Sequence, residues 1–415
     1  LVFSVLKAVI ISFRQGGTIP VCFKLKEFIM AKELGFVLIT SHSLRKSRTG
    51  GIIGRFSRIE GLDLVAARMF GPSQELVDRY AELLQTNPDV APQKKTILSE
   101  YVLRAFSPNT ETGKLHRVMM LLFEGEDAIR KIHDAAGGFD DTQESADTVR
   151  GTYGDSVHDP DGNLVYFEPA VLIAPTLASA RRTLGLWMEY ADTDGGIVQN
   201  ALSLPDSDVE RTLVIIKPDN FRFPSSRPGN IVDLFSHSGL RIIGAQVHRM
   251  SMSEAKAFYG PVQSFLREKL RDVTISKACG VLENEFGFAM PTEIRDALCE
   301  TLAPYYGDHT FYEIMQFMTG LWYPDVAESD MDDEGKVRCL VLVYAGINAV
   351  EKIRTILGPT DPRKAHPGSV RKEYGSDIMV NAAHASDSPE NARREIGIVK
   401  PERNFVRTWY DRYYA

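Results

Sequence analysis

The chain has 415 residues, of which 44% are hydrophobic and 25% charged, and its formal net charge is −7. That length holds two or three globular domains, and the acidic balance gives no general pull toward nucleic acid or an anionic membrane. The four cysteines, Cys22, Cys279, Cys299 and Cys339, lack CxxC or Cys/His ligand spacing, which argues against a disulfide framework or a zinc site and fits a reduced, cytoplasmic compartment.

Residues 1–29 open with an apolar run that Lys7 interrupts and that is too short to span a bilayer. They read as a disordered or non-native extension ahead of Met30, and no membrane span is expected elsewhere. Apolar runs at 36–40, 62–69, 117–123 and 164–167 predict four strands. Helices are expected at the Gly50-Gly51 entry, over 73–84, from 125 and over 178–184, with a polar loop between the second helix and the third strand. The order βαββαβ implies an α+β fold, a ferredoxin-like antiparallel sheet with helices on one face.

The same order recurs. Strands are expected over 212–217, 240–248, 338–343 and 378–380, and helices over 230–238, 253–259 and 349–357. Gly125 to Gly137 lies over Gly346 to Gly358 without a gap, and Val149-Arg150 lies over Val370-Arg371 at the same offset. The chain therefore reads as two tandem domains, 30–191 and 209–415, joined by an acidic linker over 192–208. The second carries a helical insertion at about 263–302. An acidic loop at 327–334 does not have the spacing of a calcium-binding loop.

The two copies differ at polar positions. Lys217 aligns with Ser41, Arg354 with His133, Thr360 with Phe139 and His384 with Leu172, whereas Arg371 keeps a counterpart in Arg150. His384 precedes a helix with Ser388 as N-cap and Pro389 at its first position, closed by Gly397, a setting that suits an anion. Lys217, Arg354, Thr360 and Arg371 make a polyphosphate-binding inventory, and Glu395 suits the orienting partner of a histidine nucleophile. Alone, Lys217 equally reads as a solvated strand end, Arg354 as a surface helix residue, and Tyr259 and Phe311 as core aromatics.

Five blocks carry a resemblance: 210–219, 346–350, 358–362, Pro367-Gly368-Ser369-Val370-Arg371 and Asn381-x-x-His384-x-Ser386-Asp387-Ser388. At these residues the sequence resembles the nucleoside diphosphate kinase family, over most of 210–400 and in degraded form over 36–190. The resemblance implies that His384 takes the γ-phosphoryl group of an NTP and passes it to an NDP, with Mg²⁺ on the nucleotide phosphates. It implies phosphate contacts from Arg354, Thr360 and Arg371, and ribose or phosphate contacts from Lys217 and Asn381. Phe311 or Tyr312 would stack on the base, Tyr259 and Glu395 would support the imidazole, and Ser386 would hold the local loop. Ala385, at a position the family fills with glycine, is expected to tighten the backbone. The expected partners are nucleoside di- and triphosphates, with no nucleic acid and no membrane, in a homo-oligomer or an internal pseudo-dimer of the copies. A nucleotide-sensing protein with little turnover and a histidine-dependent protein phosphotransferase are the alternatives.

Overall fold

The computed structural model describes residues 31–138, 147–162 and 164–415; the expected extension at 1–29 and Phe139 lie outside them. Continuous apolar runs make the strands. In the N-terminal half these are β1 (Glu33–Ile39), β2 (Asp63–Phe70), β3 (Val118–Gly125), β4 (Asp155–His158), β5 (Leu164–Glu168), β6 (Val171–Ile173) and β7 (Gly195–Gly196). The helices between them are α1 (Ser41–Arg45), α2 (Thr49–Ser57), α3 (Gln74–Thr86), α4 (Pro92–Phe106), α5 (Ala128–Ala136), α6 (Val149–Tyr153) and α7 (Leu177–Glu189). The sheet order is β6-β1-β3-β2-β7, antiparallel throughout.

The C-terminal half contributes β8 (Glu210–Ile216), α8 (Arg227–Ser236), β9 (Arg241–His248), α9 (Met252–Lys269), α10 (Arg271–Phe286) and α11 (Thr292–Thr319). There follow β10 (Cys339–Gly346), α12 (Ala349–Leu357), α13 (Val370–Tyr374), β11 (Ala383–Ala385), α14 (Pro389–Val399) and α15 (Phe405–Tyr414). Its sheet order, β11-β8-β10-β9, is that of the first sheet without β7. Each half is thus an α+β unit of ferredoxin-like order.

The layering amends the one-face expectation. Leu34, Phe36 and Leu38 of β1 enter one cluster of buried side chains, and Val37 and Ile39 enter another. Leu213 and Ile215 of β8 separate from Val214 and Ile216 in the same way. Both sheets are covered on both faces, which is why their strands read as unbroken apolar runs. One of these clusters runs from Ile52 and Phe56 of α2 to Ile231 and Phe235 of α8, so the halves share a core. Helices α2 and α8 cross backbone to backbone: a Cβ at Gly50 would lie 2.4 Å from the Asp233 nitrogen, and one at Gly229 would lie 2.3 Å from the Gly50 oxygen. Only glycine permits that approach.

Several expectations need correction. The polar loop before β3 contains α4, whose Pro92 start hides the helical spacing of the buried Leu98, Tyr101, Val102 and Phe106. Residues 164–167 do form a strand, but it pairs with β4 in a separate hairpin, and β6 is the sheet's fourth strand. Residues 378–380 are a turn whose amides at Met379 and Val380 bond the Asp377 carboxylate, each at 2.7 Å. The last strand is instead the short Ala-His-Ala of β11. Helix α14 has Ser388 as N-cap and Pro389 first, but runs past Gly397 to end at Lys400 in the left-handed region. The insertion is helical, and it lengthens a helix pair, α9 and α11, that the first half has in shorter form as α3 and α4. The segment at 192–208 is built into the fold: β7 pairs with β2, and the Val198 amide donates to Ile243 at 2.8 Å. Helix α15 crosses back, placing Val406 and Tyr414 in the N-terminal core.

Candidate active site

His384 lies at the centre of β11, paired with Ile215 of β8. Just before it, Ala382 is fully buried at φ +70°, and the Ala383 amide closes a tight turn on the Asn381 oxygen at 2.8 Å. A non-glycine residue held there is strained, and its surroundings fix it. The Ala382 carbonyl accepts from the Lys217 amide at 2.9 Å and from Asn220 Nδ2 at 2.8 Å. Ala385 sits in the strand outside the left-handed region, so alanine fits without the expected tightening.

Helix α14 supplies the carboxylate. Glu395 is buried, and its Oε2 lies 2.9 Å from His384 Nε2 and accepts from Ser386 Oγ at 2.7 Å. A proton on Nε2 satisfies that contact, so that in the neutral ring the lone pair lies on Nδ1. Among the described residues Nδ1 has no hydrogen-bond partner, and the side chain is 22% exposed. Arg394 of the same helix lies 3.5 Å from Glu395 Oε1 and donates to the Ala257 carbonyl at 3.0 Å, locking α14 to α9. Helix α9 then brings aromatic rings to the imidazole, Phe258 edge-on at 5.0 Å and Tyr259 at 6.4 Å between centroids. The buried Tyr259 hydroxyl has no hydrogen-bond partner among the described residues, and burial pushes its phenol well up.

Lys217 follows β8. Its Nζ donates to Asn381 Oδ1 at 2.7 Å and to the Met379 carbonyl at 3.1 Å, and burial, with Arg371, pushes the ammonium down to about 8. Asn381 is a hub: its Nδ2 donates to the Ile378 and Thr360 carbonyls at 2.8 and 3.1 Å. Arg371 donates to the Gly358 carbonyl at 3.0 Å and the Ala383 carbonyl at 3.2 Å, tying the end of α12 to β11. Burial and the neighbouring Arg354 push its guanidinium down to about 10. Arg354 and Thr360 are exposed.

The structure therefore brings His384, Glu395, Ser386, Tyr259, Lys217, Asn381 and Arg371 into one network. Phe311 is set apart: at 2% exposure its ring is packed in the core with Leu213, Ile215 and Met315, and offers no face to a base. Two aromatics escaped sequence reasoning, Phe258 against His384 and Phe317, whose ring lies 5.5 Å from Lys217 Nζ. Their only signal was proximity to Tyr259 and Phe311 in the chain.

A carboxylate-oriented histidine on a ferredoxin-like sheet, beside an arginine and a lysine, is a set of groups chemically suited to a phosphoryl group. The family model described as nucleoside diphosphate kinase matches residues 33–167 and 326–405, together just over half of the chain. Among relatives, the nucleoside diphosphate kinase of Campylobacter fetus is 31% identical over 195 residues, 47% of this chain and 98% of that protein. The enzyme of the same name from Anaeromyxobacter sp. strain K is 30% identical over 194 residues, 47% of this chain and 90% of that protein. The solved NDP kinase of Pyrobaculum aerophilum aligns at 28% identity over 46% of this chain and 94% of its own, with a TM-score of 0.32. The chain belongs to the nucleoside diphosphate kinase family.

Proposed function

We propose that the chain is a tandem duplication whose C-terminal half works as a nucleoside diphosphate kinase, by a ping-pong mechanism through a phosphohistidine at His384. The observation that carries this reading is the 2.9 Å contact of His384 Nε2 with Glu395, which leaves Nδ1 to attack. Nδ1 forms a bond to the γ-phosphorus of an NTP as the bond to the β-phosphate oxygen breaks, releasing NDP. The terminal oxygen of a second NDP then attacks that phosphorus, the N–P bond breaks and the neutral ring returns. Glu395 offsets the positive charge that grows on the imidazole, and Ser386 holds the carboxylate in place.

Lys217 and Arg354 hold the phosphates, joined by the free donors of Arg371 and the Thr360 hydroxyl. Lys217 and Asn381 also reach the ribose region. Phe317, over Lys217, is the aromatic placed nearest the phosphate-binding cation. The cationic groups around His384 leave phosphate oxygens and water as the natural ligands of Mg²⁺, which supplies charge neutralisation when bound.

The test is incubation with γ-labelled ATP and Mg²⁺, then a chase with GDP. The expected result is acid-labile, base-stable label on His384 that moves to GDP, and a loss of transfer by more than about 10⁴-fold in His384→Ala. Bound nucleotide with no label would replace the kinase with a nucleotide sensor.

A further inference from the structure

A cavity of about 440 Å³ lies where the two halves and the segment joining them meet. Arg45 of α1, His116 and Arg117 before β3, Arg241 at the start of β9 and Lys352 of α12 all line it. No Asp or Glu is among the lining residues, in a chain whose net charge is −7. Arg117 is 7% exposed, and one of its terminal nitrogens donates to the Ile242 carbonyl across the junction. Burial, with Arg241 and Arg45 close by, pushes its guanidinium down to about 10.

Among the described residues no ion pair joins Arg45, Arg117, Arg241 or Lys352 to a carboxylate. Arg338, which also bridges the halves, behaves differently and pairs with Asp63 at 2.6 Å. A buried guanidinium is costly to desolvate, and cations crowded round one cavity repel one another unless an anion enters. Leu115, Leu202 and Leu240 complete the wall and lower the local dielectric, strengthening any charge contact made inside. The volume falls within the usual range for small-ligand sites, roughly 300–1,000 Å³.

We propose that this junction cavity is a second anion site that takes a pyrophosphate group, free or as the diphosphate tail of a nucleotide, separate from the site at His384. An occupant would touch both halves and the joining segment at once, through Arg45 and Arg117 on one side and Arg241 and Lys352 on the other.

Calorimetric titration of the full chain with sodium pyrophosphate, and in parallel with ADP, tests this at low salt. In Arg45→Glu/Arg241→Glu one pyrophosphate per chain should be lost from the stoichiometry, or its affinity should fall by about 100-fold, roughly tenfold per lost charge-assisted contact. Lys269→Glu/Lys277→Glu, which makes the same change in net charge on the α9–α10 insertion, should leave that binding intact. A parallel loss of ADP assigns the nucleotide tail, whereas loss of pyrophosphate alone assigns the free anion. Wild-type binding in the first variant, or equal weakening in both, overturns the site. Should that double variant fail to fold, Lys352→Glu, at an exposed position, reads out the same loss by about tenfold.

Discussion

The two halves carry one frame and two different sets of polar groups. Arg150 donates to the Gly137 and Val171 carbonyls as Arg371 donates to those of Gly358 and Ala383. Ala170 sits at φ +59° before β6, as Ala382 sits at φ +70° before β11. The strain and the arginine clamp thus belong to the architecture, because both halves have them. The differences fall at Leu172, which pairs with Leu38 where His384 pairs with Ile215, at Thr40, whose amide bonds the Ala170 carbonyl as that of Lys217 bonds Ala382 and which therefore takes the place expected for Ser41, and at His133 in place of Arg354. Features that repeat build the sheet edge, and those that do not are the candidates for chemistry.

The largest effect that would sharpen this contrast, beyond loss of His384 itself, is expected from Glu395→Gln. It should slow phosphoryl transfer by ~10²- to 10⁴-fold while leaving nucleotide affinity nearly unchanged, as measured in single-turnover experiments. Next come Arg150→Ala and Arg371→Ala. Each should lower stability by about 1–3 kcal/mol in denaturant titrations, since each leaves two carbonyls without their arginine donor, but only Arg371→Ala should also weaken nucleotide binding. Equal loss of binding in both would break the assignment of the site to one half.

A smaller effect concerns pH. Burial lowers the Lys217 pKa to about 8, so the ammonium loses its proton as pH rises through that value, well before a free lysine would. Phosphate affinity should fall by about tenfold between pH 7 and 9.5, and Lys217→Arg should flatten the profile. The lowered pKa also means that folded Lys217 disfavours its own charge, so its contribution to stability improves as pH rises from about 8 toward the unfolded value. The smallest change is expected from Leu172→His, which should acquire no phosphoryl label, because Thr40 and His133, at the places of Lys217 and Arg354, supply no ammonium or guanidinium.

Much of this was legible in the sequence. Apolar runs such as Val118–Phe123 announced their strands, and the offset between Gly125–Gly137 and Gly346–Gly358 announced the repetition. β11 was missed because its three residues, Ala383–Ala385, carry no strand signal beside the more apolar Ile378-Met379-Val380. Helix α4 was missed because its polar first turn masks the apolar spacing behind it. At the site, residue types located His384, Glu395 and Lys217, whose chemistry is local to their motifs. Phe311 was misread because burial is a property of the assembled core, and no motif reports it.

The return of α15 to the N-terminal sheet has a consequence for how the molecule comes into being. Tyr414 bonds the Leu34 carbonyl, and Val406 completes a cluster begun by Leu34, Phe36 and Leu38. In a chain made from its amino end, the part of that face under α15 stays open until residues 405–414 follow, while α3, α4 and α7 cover the rest earlier. β1 is thus finished by a contact 380 residues further along the chain, a separation that slows folding and exposes apolar surface to association. The N-terminal half made alone would leave uncovered only the apolar patch on which Val406 and Tyr414 pack, and a separate peptide of residues 405–414 would be its natural cover.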